Sequence, residues 1–102
     1  MRLLKHPLVD CDIEEAALWY HLRDPSVAIR LIDAARNAMR SAARNPLQFS
    51  IRFADVRRVR LAGFPHSVYF RLLGDSVCIL ALAHGGRDLQ ALLRGRTSSP
   101  ES

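Results

Sequence analysis

VRRVRLAGFPHSVYFRLLGDSVCILALAHGGRDLQALLRGR, residues Val56–Arg96, is the stretch whose reading decides the fold. Within it Val77–Ala83 (VCILALA) is apolar at every position, with Gly74-Asp75 before it and Gly85-Gly86 after it. That is the pattern of a central strand covered on both faces. Ser67–Leu73 and Ser76–His84 read as two strands joined by the two-residue loop Gly74-Asp75, a strong hairpin signal. The loop length predicts a register in which Leu73 pairs with Ser76, Arg71 with Cys78, Tyr69 with Leu80 and Ser67 with Leu82. One hairpin face is then Val68, Phe70, Leu72, Val77, Ile79, Ala81 and Ala83, which helices should cover. The other carries Ser67, Tyr69, Arg71, Leu73, Cys78, Leu80, Leu82 and His84, a mixed face expected to be the working surface. Strict alternation also puts His66 and His84 on opposite faces, where they cannot act on one phosphate.

Outward from the hairpin, Arg57–Leu61 alternates as well, with Val59 and Leu61 facing one way and Arg58 and Arg60 the other. Ala62–Pro65 is a turn. After the double glycine, Asp88 caps a short helix with Leu89, Leu92 and Leu93 on one face, closed by Gly95. Thr97–Ser102 reads as a frayed, disordered tail behind a single domain of residues 1–96.

Upstream, Arg2–Val9 reads as a short first strand that Pro7 ends or confines to an edge. Asp12-Ile-Glu-Glu15 has the form of a capping box, so a helix is expected from there, with Ile13, Ala16, Ala17 and Tyr20 on one face. Asp24-Pro25 stops it and caps the next helix. That second helix presents Ala28, Leu31, Ala35, Ala38, Met39 and Ala42 as a small-residue apolar stripe, with Arg36, Arg40 and Arg44 as a basic ridge. Asn45-Pro46 ends it, giving an αα-hairpin. Leu47–Asp55 reads as a connection with no assigned element. The expected fold class is α+β, in the order β-α-α-β-β-β-α, with an antiparallel sheet packed on the αα-hairpin.

A length of 102 residues suits one core. A hydrophobic share of 49% against 25% charged residues argues against wholesale disorder. Two cysteines, Cys11 and Cys78, make no disulfide framework. A reducing cytoplasm is therefore the expected location, with no export signal and no apolar run approaching the ~20 residues of a membrane helix. The net charge of +5 is uneven: residues 1–33 hold four basic and six acidic side chains, and residues 34–102 hold eleven and four. A basic half points to nucleic acid or an acidic protein segment as partner. No pair of histidines or cysteines has ligand spacing, so no metal and no cofactor is expected. Cys78 and His84 share the predicted mixed face but lie ~20 Å apart along the strand. Gly85-Gly86 lacks the rest of a phosphate-loop pattern.

The element order, together with NPLQF and RRVRLAGFPHSVYFRLLGDSVCILALAHGGRD, resembles the RelE/ParE superfamily of bacterial toxins. The likeness spans Leu3 to about Arg96, and FPHSVYFRL is closer to ParE-type members. It implies the toxin half of a type II toxin–antitoxin pair, neutralised by a cognate antitoxin and reaching operator DNA only through the antitoxin complex. ParE-type members poison DNA gyrase; RelE-type members are ribosome-dependent endonucleases acting on messenger RNA. Against the nuclease pattern, Arg58 and Arg60 stand where site lysines occur and Arg87 matches a retained arginine. Ser67 and Leu93 stand where a site arginine and tyrosine are expected, with Arg71 able to share the face. The resemblance therefore implies a non-enzymatic gyrase inhibitor first and a nuclease second. Arg58, Arg60, Arg71, His84 and Arg87 are the catalytic candidates in the second case. Arg58, Arg60, Tyr69, Arg71 and Arg87 are the candidates for antitoxin or target binding.

Overall fold

A computed structural model of the chain describes residues 1–85 and 88–97. The elements run β1 (Arg2–Lys5), α1 (Val9–His21), α2 (Pro25–Arg44), a 3-10 turn (Pro46–Gln48), β2 (Ile51–Phe53), β3 (Val56–Arg60), β4 (His66–Leu73), β5 (Ser76–His84) and α3 (Leu89–Thr97). Five strands form one sheet in the order β1-β5-β4-β3-β2. The pairs β2–β3, β3–β4 and β4–β5 are antiparallel, whereas β1 lies parallel to β5. The sheet is therefore mixed, not wholly antiparallel. Connectivity permits a parallel neighbour, because β1 is separated from β5 by the whole helical hairpin and three strands rather than by a tight turn.

The α1–α2 hairpin covers one sheet face. In α2 the buried residues are Ala28, Leu31, Ala35, Ala38, Met39 and Ala42, the six of the predicted stripe. They pack with Val59, Val68, Phe70, Val77, Ile79 and Leu82. Alanines at four of those six helix positions keep α2 close to the strands. Asp24 caps α2 as expected: its carboxylate accepts from the Ser26 backbone N–H at 3.0 Å and from the Ser26 hydroxyl at 2.8 Å. Helix α1 departs from expectation. It begins at Val9, with Leu8 as an N-cap whose side chain makes no capping bond. The His6 ring serves that turn instead, its Nδ1 accepting from the Leu8 N–H at 3.1 Å. Asp12 therefore sits inside the helix and is not its cap.

The opposite sheet face is covered as well. Leu93 of α3 is fully buried against Val56, Tyr69, Leu80, Ala81 and Ala83, with Leu89, Leu92 and Phe53 around them. Thr97 is the last helical residue, and the rest of the predicted tail lies outside the described residues.

The β4–β5 register follows the predicted one only as far as Phe70–Ile79. Tyr69 then pairs with Ala81, so Leu80 is an extra residue in β5, a β-bulge. One inserted residue exchanges the two faces beyond it. Ala81 and Ala83 move to the α3 side and Leu82 to the helical-hairpin side, the reverse of the alternation expected from sequence. The bulge also sets His84 directly opposite His66.

Candidate functional site

Register and burial sort the candidate residues onto two sides of the sheet. In β3, Arg58 pairs with Tyr69 and Arg60 with Ser67, while Val59 pairs with Val68 and enters the core under the helices. Arg58 and Arg60 thus share the α3-side face with Tyr69. Arg71, paired with Cys78, belongs to that face too. Arg60 is exposed and Arg58 half-buried.

The arginines of this face differ in what already holds them. Arg71 forms an ion pair with Asp55 at 2.9 Å, its Nε donates to the same oxygen at 3.1 Å, and its Nη1 reaches the Thr97 carbonyl at 3.4 Å. It ties the β2–β3 turn to the end of α3. Among the described residues neither Arg58 nor Arg60 has an ion-pair partner, so these two are the cations this face offers to another molecule. Tyr69 is 1% exposed beneath α3 and packs as a core side chain. Arg87 lies outside the described residues.

His84 lies elsewhere. Beyond the bulge it faces the helical hairpin with His66, their ring centroids 5.4 Å apart and the rings nearly perpendicular. The two rings line a cleft of about 520 Å³ with Asp12, Glu15, Trp19 and Tyr20 of α1, together with Pro65 and Leu82. The expectation that the sheet separates the histidines is therefore corrected, as is the one that Cys78 and His84 share a face. Burial holds the His66 imidazole below its ordinary pKa, and the neighbouring His84 acts in the same direction. His66 Nδ1 is buried without a hydrogen-bond partner. The histidine pair and the arginine strand thus work on opposite sides of the sheet. A phosphate cannot be served by both.

A third surface was not singled out from the sequence. Ile13, Ala17, Leu18, Ala28, Ile29, Ile32 and Met39 line a groove of about 670 Å³ along the outer side of the helical hairpin, with Lys5, Asp10, Glu14, His21 and Arg36 as its charged and polar rim. Leu18, Leu22 and Ile29 are all more than half exposed, Leu22 at 74%. The signal is present in the sequence for the exposed residues, since Leu18, Leu22 and Ile29 fall outside the predicted apolar stripes. Among the described residues no three or more histidine, cysteine or acidic side chains gather to hold a metal, and no helix is long and apolar enough to cross a membrane.

Comparison with known proteins bears on the whole domain. A family model described as the ParE toxin of the type II toxin–antitoxin system parDE matches residues 3–89. A solved structure, "Chromosomal ParDE TA system from P. aeruginosa", superimposes with a TM-score of 0.72 over 82% of this chain and 95% of that chain, at 20% sequence identity. That degree of identity speaks for the fold. No curated protein matches the chain.

Proposed function

The chain belongs to the ParE toxin family of type II toxin–antitoxin systems, and from that membership we propose that it arrests growth by binding DNA gyrase. In this reading the toxin acts in the cytoplasm by contact and catalyses nothing itself. The family match over residues 3–89 carries the proposal. The division of the nuclease candidates between two sheet faces supports it. An acid–base histidine on one side and phosphate-binding arginines on the other do not make one active centre.

A cognate antitoxin is the other partner. The hairpin groove, with Leu18 and Ile29 exposed along it, is apolar surface of the kind that a small protein leaves open for a partner. Its rim is balanced in charge, Lys5 paired with Asp10 at 2.9 Å, Arg36 with Asp33 at 3.8 Å and Glu14 beside them, so the apolar floor is what suits an antitoxin segment. Operator DNA would be reached only through that complex.

Arg58 and Arg60 on one face, without ion-pair partners among the described residues, are the observation that keeps the second reading, a ribosome-dependent messenger-RNA endonuclease. Induction of the protein alone in a bacterial host separates the two. Gyrase inhibition predicts double-strand breaks or altered supercoiling with transcripts intact. Codon-phased cuts in translated messages, with DNA unaffected, would replace it with the nuclease.

A further inference from the structure

We propose that His66 and His84 form a two-histidine site for one divalent transition-metal ion, of the zinc or copper class, at the mouth of the cleft beside α1. The site is a product of the bulge. Leu80 is the extra residue that turns His84 onto the face of His66 and makes the two directly cross-strand partners. Cross-strand neighbours on one face are close enough for both side chains to reach a common point.

The geometry meets what the metal requires. An ion ~2.0–2.1 Å from one nitrogen of each imidazole, at a roughly tetrahedral angle, sets the two ring centroids about 5 Å apart. The observed separation is 5.4 Å. The separation is compatible with a shared ion in the backbone register observed. His66 Nδ1, buried without a hydrogen-bond partner, is the kind of exception that a bound ion accounts for.

Charge selects a cation over an anion. The acidic groups lining the cleft are Asp12 and Glu15. Asp12 is taken up by Arg96, so the charge it brings is balanced. Among the described residues Glu15 has no ion-pair partner, so it leaves the cleft lining one uncompensated carboxylate. A phosphate in the same place would face that carboxylate with the Arg58 and Arg60 cations on the far side of the sheet. The pair is thus better placed as metal ligands than as the acid and base of RNA cleavage. With two protein ligands, water completes the coordination, and the site is of modest affinity and open to exchange.

Metal-free full-length protein titrated with zinc, and separately with copper followed by its electron paramagnetic resonance spectrum, tests the assignment. The expected result is one ion per chain, nitrogen ligation in the copper spectrum and a thermal midpoint that rises with zinc and falls back with chelator. His84→Asn, at an exposed position that leaves the core untouched, should weaken binding at least tenfold, and His66→Asn should do the same. Cys11→Ser and His21→Asn should bind as the parent does. Unchanged affinity in His84→Asn, loss of binding in Cys11→Ser, or no saturable binding by the parent would each overturn the site. Because the readout is metal occupancy and not toxicity, its failure leaves the gyrase reading standing.

Discussion

Asp12 and Arg96, 84 residues apart in the chain, form a two-pronged ion pair at the open edge of β5. Their side chains are 9% and 10% exposed. Arg96 Nη2 donates to Asp12 Oδ1 at 3.0 Å, Nη1 also donates to the Leu80 carbonyl at 3.1 Å, and Asp12 Oδ2 accepts from the Leu82 N–H at 3.1 Å. Strand β1 covers β5 only as far as Ile79. Beyond that point the ion pair takes over the strand-edge bonds beside the bulge and joins α1, α3 and β5. A charge left alone there has lost its counter-charge in a mostly dry setting, so Asp12→Ala or Arg96→Met should each cost about 3–5 kcal/mol. The double variant should cost less than the sum. Urea unfolding of the four proteins measures the coupling, and simple additivity would show that the pair is not a unit.

Ala54 is the only non-glycine residue with positive φ among the described residues, at 51°, in the turn between β2 and β3. A side chain there is strained against its own backbone. Ala54→Gly removes that strain at some cost in unfolded-state entropy, for a net gain of about 0.5–1 kcal/mol. The denaturation midpoint should rise with no change in slope. A lower midpoint would mean that the alanine methyl makes a contact worth more than the strain.

Cys11 is exposed on α1, whereas Cys78 is half-buried beside α3. Burial pushes the Cys78 thiol above its ordinary pKa, an effect that Arg71 only partly offsets. Thiolate is the reactive form, so iodoacetamide at mildly alkaline pH should label Cys11 well before Cys78. Peptide mass spectrometry over a time course reads the order. Equal rates would require α3 to leave the sheet readily.

Asp24 caps α2 through its Ser26 bonds, hydroxyl first and backbone N–H second, and these hold its carboxyl below the usual range, with Arg30 adding to the effect. A carboxyl whose folded pKa is depressed stabilises the fold above its unfolded pKa of about 3.9 and loses that contribution as pH falls through the folded value. Asp24→Ala should therefore be less stable than the parent at neutral pH, with the difference shrinking in acid. Paired melting curves from pH 7 downward test it. A difference that persists undiminished in acid would assign the cost to helix propensity alone.

How much of this was legible depended on where polar residues mark the pattern. The α2 stripe was readable because arginines and other polar residues alternate with it at helical spacing, and Gly74-Asp75 announced its hairpin. The bulge at Leu80 was not, since Val77–Ala83 is apolar throughout and a slip of one residue leaves no trace in such a run. Strict alternation puts His84 on the wrong face for that reason alone. Strand β2 escaped because Ala54-Asp55 carries none of the glycine or asparagine that a positive-φ turn position favours. Asp12 looked like a helix cap because the pairing with Arg96, a contact between distant parts of the chain, has no local signature.

Arg58 and Arg60 give the sharpest test of where the target meets this protein. By register both belong to one face of β3, with Arg60 at the strand's end also bordering α2 near Asp33, and among the described residues neither has an ion-pair partner. Charge reversal, Arg58→Glu with Arg60→Glu, should leave the fold intact, because the buried side chains of β3 are Val56 under α3 and Val59 under the helical hairpin, and neither is altered. If this strand faces gyrase, the double variant should inhibit supercoiling at least tenfold less well, mainly through slower association. The deficit should narrow as salt rises, since exposed charges are screened over about 10 Å at 0.1 M. Arg71→Glu is the instructive contrast. It breaks the Asp55 ion pair, so its loss of inhibition should come with a lower melting temperature and little salt dependence. Full inhibition by the Arg58/Arg60 reversal would move the target contact to another surface, and the α1–α2 groove would be the next to alter.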